Sequence, residues 1–225
     1  MPPNGSRRGD RLRDVLPAAP LGAGCRSCRG ARVRRCRAVE PRAGDGRYCE
    51  GRRQLRGAGF ATDPDPKGSN IRSLPRADAP IIGHLPPRFA LTPGDLVGAE
   101  FEIIGSKGGW LLIRNAEAVV DTRGNGKRVF KGPGWISGGL AGATLGSQAL
   151  RAEPRRDAAI VASLLDADKG WGPDSFAVTR IHACQGDFVE VTLRSPQIPS
   201  EPEKLLRGWS ARPCSNQLTT CDRGE

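Results

Sequence analysis

Gly68-Ser69-Asn70-Ile71-Arg72-Ser73-Leu74-Pro75-Arg76-Ala77-Asp78-Ala79-Pro80-Ile81-Ile82 recurs in pattern as Ser147-Gln148-Ala149-Leu150-Arg151-Ala152-Glu153-Pro154-Arg155-Arg156-Asp157-Ala158-Ala159-Ile160-Val161. Setting Ile71 over Leu150 fixes an offset of 79 residues, and Arg72/Arg151, Pro75/Pro154, Asp78/Asp157 and Ile81/Ile160 then align without a gap. Downstream, I-I-G-S-K-G-G-W-L-L-I at 103–113 aligns at an offset of 78 with I-H-A-C-Q-G-D-F-V-E-V at 181–191, so that Trp110 meets Phe188. Gly134-Trp135-Ile136-Ser137 then meets Gly208-Trp209-Ser210-Ala211. Self-similarity at a fixed spacing marks a repeated structural unit. Two small domains are expected, over 66–140 and 144–222.

Each unit reads as β-structure. In the first, 70–73 and 81–85 are short runs of strand-forming residues, with Ile81, Gly83 and Leu85 on one face and His84 on the other. Pro86, Pro87, Pro93 and Gly94 interrupt the apolar pattern, so 86–98 is expected to be a long loop. Residues 101–104 and 110–114 flank Gly105-Ser106-Lys107-Gly108-Gly109 as a hairpin, and Asp121 to Gly126 is a polar turn carrying the Asn-Gly signal. Residues 135–137 close the unit. The second unit repeats the order with strands at 149–152, 160–164, 176–183, 188–193 and 209–211, and loops at 165–175 and 194–207. Helical periodicity is confined to single turns expected around 116–120 and 202–206. The fold class is all-β, two small barrels after a basic N-terminal segment expected to be disordered.

Charge separates that segment from the rest. The chain of 225 residues carries a formal charge of +11. Residues 1–59 hold 15 Arg, no Lys and 5 acids, a net +10, whereas 60–225 hold 20 basic and 19 acidic residues, a net +1. Phosphate binding needs a clustered basic face, so nucleic acid is not an expected partner of the repeats. Residues 1–59 have few apolar residues and no period from which to build a core. Three readings of them stand: a misplaced start or shifted reading frame, an arginine-rich arm for nucleic acid or acidic lipid, and a lipoprotein-like signal ending at Leu21-Gly22-Ala23-Gly24-Cys25. No run approaches the ~20 apolar residues of a membrane span. Residues 60–68, with Asp63-Pro64-Asp65-Pro66, read as an extended linker.

Of the seven cysteines, Cys25, Cys28, Cys36 and Cys49 contain one C-x2-C pair but no second close pair and no histidine, a poor zinc pattern. No metal or cofactor is expected. Cys184, Cys214 and Cys221 lie in the second repeat, where a disulfide would staple a small domain. Cys214 with Cys221 closes a short loop, Cys184 can replace either partner, and the cysteine left over can pair with Cys49. A disulfide implies an exported, oxidising setting.

The run from Gly68 to Pro75, then Ala79-Pro80-Ile81-Ile82-Gly83-His84-Leu85, Gly109-Trp110-Leu111-Leu112-Ile113 and Gly134-Trp135-Ile136, resembles the bacterial SH3-like (SH3b) domain. That family's pattern is N-V-R-x-x-P followed by V-I-G-x-L, a W-x-x-V hairpin strand and a closing G-W-V. The second repeat departs from it: Ala149 replaces the asparagine, Ala162-Ser163 the glycine and its polar neighbour, and Phe188 the hairpin tryptophan. The resemblance covers about residues 66–222. It implies a strongly bent five-stranded barrel per unit, usually in exported bacterial proteins, with cell-wall or peptide binding and no catalytic residue.

Six residues are candidates for ligand contact. Arg72 and Arg151 precede equivalent loops, where a planar five-donor guanidinium suits tying a loop to the barrel as well as holding a ligand. Trp110, Trp135 and Trp209 have the large amphipathic rings that pack cores and anchor ligands. Trp171, in Lys169-Gly170-Trp171-Gly172-Pro173, lies in a loop with no counterpart in the first repeat and is the best single candidate for an exposed contact. The only tyrosine, Tyr48, lies outside both units, so the aromatic shelf that binds P-x-x-P ligands is not supported. His84 and His182 are the only histidines; His182 and Cys184 share a strand face, an arrangement open to a thiolate pair but expected to be structural. The expectation is a monomeric, non-catalytic exported or periplasmic protein that contacts a cell-wall fragment or an envelope peptide or protein. The alternatives are a cytoplasmic scaffold with a nucleic-acid-binding arm, or an accessory subunit of a wall hydrolase.

Overall fold

Short runs of β-branched and aliphatic residues, broken by Gly and Pro, make strands rather than helices. In a computed structural model of the chain, the described residues are 47–48 (backbone only), 59–199, 202–218 and 221. They form β1 (Arg47–Tyr48), β2 (Gly59–Ala61), β3 (Ser69–Arg72), β4 (Ile81–Leu85), β5 (Phe89–Thr92), β6 (Asp95–Val97), β7 (Glu100–Lys107) and β8 (Trp110–Val119). These are followed by β9 (Gly126–Phe130), β10 (Gly134–Ser137), β11 (Ala141–Gly142), β12 (Ala149–Arg151), β13 (Ile160–Ser163), β14 (Ala177–Gln185), β15 (Phe188–Arg194) and β16 (Leu205–Ala211). The only helical turns among the described residues are two 3-10 turns, Gly138–Leu140 and Pro173–Ser175. The fold is all-β. No described helix is long and apolar enough to cross a membrane.

The first sheet has nine strands, running β11-β2-β7-β8-β10-β3-β4 with β1 paired to β7 and β9 to β8; its β7-β8-β10-β3-β4 portion matches the order of the five-stranded second sheet, β14-β15-β16-β12-β13, every pair antiparallel. Irregularities fall at matching places: between Ile71 and Arg72 and between Leu150 and Arg151, and between Ile103 and Gly105 and between Ile181 and Ala183. The loop after the first strand is held by the same bonds in both halves. The Ser73 amide donates to the Pro80 carbonyl and that of Ala152 to Ala159, each at 2.9 Å. Arg72 Nη1 donates to the Ala79 carbonyl at 2.7 Å, and Arg151 Nη1 to that of Ala158 at 2.8 Å. Both alanines are buried.

The inward positions also match. Ile71, Leu85, Ile103, Leu111 and Ile113 in the first half, and Leu150, Leu164, Ile181, Val189 and Val191 in the second, are buried and belong to one contiguous core. The glycine of each Gly-Trp pair has a steric reason. A Cβ on Gly134 would meet Ile71 at 2.4 Å and Phe130 at 2.9 Å, and one on Gly208 would meet Leu150 and Val161 at 2.9 Å. One inward position changes character. Where the first half has Ile136, the second has Ser210, whose buried hydroxyl finds no hydrogen-bond partner among the described residues.

β14 of the second half packs on β7, β8, β11 and the turn Gly138–Leu140 of the first. The Cys184 amide donates to Ser106 Oγ at 2.9 Å in a buried contact, and a Cβ on Gly138 would lie 1.8 Å from the Ile181 carbonyl oxygen. The chain after β16 then crosses back. Thr144 and Cys214 exchange both backbone bonds, Thr144 Oγ1 donates to the Asn216 carbonyl, and Ser215 Oγ donates to Glu100 at 2.7 Å. The Gln217 amide accepts from the Gly98 N–H at 2.7 Å and donates to its carbonyl at 3.0 Å. Cys214 and Cys221 form a disulfide that closes this strap, and Cys184 is disulfide-bonded as well. The expected pairing of Cys49, and the zinc reading of Cys25, Cys28 and Cys36, fall outside the described residues.

Several local expectations are corrected. Residues 86–98 are not a plain loop: β5 and β6 form a hairpin across Pro93-Gly94, with Gly94 at φ 105°. Residues 116–120 form no helical turn, because Ala116 and Ala118 are buried on one face of β8 while β9 pairs along it, and that pairing overrides alanine's helix propensity. Residues 202–206 are not helical either, since Leu205 and Leu206 pair with Arg194 and Leu193. Gly59–Ala61, at the edge of the supposed linker, is a strand paired with β7 and β11. Arg47–Tyr48, within the stretch expected to be disordered, pairs with Ser106 and Gly105.

Two outcomes follow. Ser210→Ala removes a buried hydroxyl that lacks a partner, so the urea midpoint should rise by the equivalent of about 1 kcal/mol. The double change Cys214→Ser, Cys221→Ser should lower stability by about 2 kcal/mol in the same assay, as loop closure by a short disulfide requires.

Candidate functional site

The loop between β13 and β14 is built to present Trp171. Asp166 and Trp171 exchange backbone bonds, the Trp171 amide donating at 2.9 Å and the Asp166 amide at 3.2 Å. Gly170, at φ 65°, makes the sharp turn this closure needs. Asp166 Oδ1 accepts the Lys169 amide at 3.1 Å, and Lys169 Nζ lies 3.7 Å from Asp166 Oδ2 and 4.6 Å from the centre of the Trp171 ring. Phe176 packs edge-on against the tryptophan, with ring centres 6.1 Å apart at 85°. The indole is thus held by a cation and a second ring, and it remains half-buried.

Opposite stand Ser195-Pro196 and Pro202-Lys204, whose backbones are joined by the Ser195 amide on the Lys204 carbonyl (2.9 Å) and the Lys204 amide on Ser195 Oγ (3.0 Å). Between the two walls lies a cleft of about 230 Å³ with Ala162, Leu165 and Leu206 in its lining. A rigid aromatic and two prolines around an apolar floor, with Lys169 already paired to Asp166, suit an extended, largely apolar ligand.

The other candidate residues lie elsewhere. Arg72 and Arg151 spend a guanidinium nitrogen on the loop carbonyls described above. Trp135 is the cross-strand neighbour of Arg72, and Trp209 of Arg151. Trp209 is buried and Trp135 half-buried. Trp110 begins β8, opposite Lys107 and Ser137. None of these five lines the Trp171 cleft. Of the cleft's residues only Trp171 was singled out from sequence. Phe176 reads as a strand residue, and Pro196, Pro202 and Lys204 come from a loop whose fold depends on distant pairing.

His182 and Cys184 do not form a thiolate pair, because Cys184 is buried and disulfide-bonded. His182 Nε2 instead lies 2.7 Å from Thr192 Oγ1. Burial holds the imidazole below its ordinary pKa, Arg207 and Arg180 push it the same way, and Glu190 opposes them. Among the described residues no group of three or more His, Cys, Asp or Glu is placed to hold a metal.

No family model, curated protein or solved structure matches the chain.

The His182 shift has a defined sign. Its folded pKa lies below the unfolded value of about 6.5, so the neutral ring stabilises the fold above that pH and the contribution is lost as pH falls through the folded pKa. Stability measured by urea melts should fall as pH drops below about 6.5 in the wild type, and His182→Gln should flatten that stretch of the profile.

Proposed function

We propose that the chain is an exported bacterial binding protein made of two SH3-like barrels, and that it holds a cell-wall fragment or an envelope peptide in the Trp171 cleft without acting on it chemically. The matching strand order and arginine-held loops of the two halves support the duplicated-barrel reading. So does the steric role of each Gly-Trp glycine. The disulfides favour an oxidising compartment.

The observation that carries the binding reading is the Trp171 loop. A loop that spends backbone bonds, a cation and a second aromatic ring on fixing one half-exposed indole lowers the ordering cost of capture. The titratable groups of the cleft support binding rather than reaction: Asp166 is engaged with Lys169 and its amide, and the Lys169 ammonium sits over the indole. An envelope ligand with apolar groups answers the indole and the apolar floor.

Isolated peptidoglycan and soluble muropeptides are the probes. Wild-type protein should co-sediment with the wall, and muropeptides should change its tryptophan fluorescence while their own masses stay constant. Trp171→Ala should weaken binding at least tenfold, in the range of an interface hot spot at ~2 kcal/mol. Undiminished binding by that variant would remove the cleft from the reading.

A further inference from the structure

We propose that the first half carries a second binding site of different chemistry: a groove between β9 and residues 86–89 that receives an acidic, aliphatic segment of another protein as an added strand. The groove encloses about 560 Å³. It occupies the same place as the Trp171 cleft, since Pro86 and Pro87 align with Leu165 and Asp166 at the repeat offset. The tryptophan loop has no counterpart here, and the lining differs accordingly.

The floor is apolar: Pro86, Phe89, Val119, Val120 and Val129, with Val120 half exposed. The charged lining residues are all cations, namely Arg88, Lys127 and Arg128. Arg128 pairs with Glu117 at 3.2 Å, whereas Arg88 and Lys127 meet no carboxylate among the described residues. That charge invites an anionic partner, and the floor invites a partner that also has aliphatic side chains.

Backbone geometry selects the extended form. β9 pairs with β8 along one edge, and its other edge has no strand partner among the described residues. Residues 127–129 of that strand line the groove. The facing wall begins with Pro86-Pro87, which have no amide hydrogens to compete for an incoming carbonyl. A peptide strand added to β9 would satisfy the open edge, and its period-two alternation would point carboxylates to the cationic rim and aliphatics to the floor. A nucleic acid would answer the cations but leave the valines uncovered.

The test is fluorescence anisotropy of the whole chain with a labelled peptide of alternating Glu and Val. Three probes serve as comparisons: alternating Lys and Val, alternating Glu and Ser, and a thymidine oligonucleotide. The Glu/Val peptide should bind best, and the charge reversal Arg88→Glu, Lys127→Glu should weaken it about tenfold or more. Val129→Asp should act similarly, and Trp171→Ala should leave binding unchanged, which separates this groove from the cleft of the second half. Arg88→Gln, Lys127→Gln provides a milder variant if the reversal fails to give the wild-type circular dichroism spectrum. Oligonucleotide or Lys/Val-peptide binding that the charge variants weaken as much as they weaken Glu/Val binding would overturn the proposal, as would charge variants that bind the Glu/Val peptide like wild type.

Discussion

The packing of β14 against the first half is the contact on which the rest of the molecule depends. A β-unit of some 70 residues buries too little apolar surface to be robust alone. Here Ile181 and Cys184 belong to a core continuous with Phe101, Ile103 and Leu111. The approach is closer than any side chain permits, with the Ile181 carbonyl against Gly138 and the Cys184 amide on Ser106 Oγ. The Cys184 amide is satisfied across this junction, so separating the halves would expose it as well as apolar surface. The strap from Cys214 to Gln217 closes the same junction from the other side through Thr144, Gly98 and Glu100.

Within each half, one arginine performs the local version of that task. The Arg72 and Arg151 guanidinium groups meet the carbonyls of buried alanines, so a loop rich in Pro, Arg and Asp folds back with its polar backbone paired. This frees the following strands to carry different loops. After β4 comes the β5–β6 hairpin; after β13 comes the turn that fixes Trp171. Similar frameworks thus present a cationic groove on one side and an aromatic cleft on the other, because loop chemistry varies while the sheet order stays the same.

The all-β class and most strands of the two sheets were legible in the sequence, because the period-two patterns and the Gly and Pro punctuation act locally. Arg72, Arg151 and the Gly-Trp pairs were conspicuous for a related reason: each serves a contact inside its own unit, so the same residue type recurs at the same offset. Trp171 stood out as an aromatic between glycines and a proline, and Cys214 with Cys221 as a short-range pair. What the sequence did not disclose depended on partners far along the chain. Ala116 and Ala118 form a strand because β9 lies beside them, Leu205 and Leu206 because β15 does, and Gly59–Ala61 because β7 and β11 accept it. The cleft around Trp171 needs walls from 162–176, 195–196 and 202–206, and the groove on the first half needs 86–89 beside 127–129. Local chemistry therefore determined the strands and the turns. Only the tertiary structure decided the junction, the strap and both clefts, since each joins groups that sequence separation hides and folding brings together.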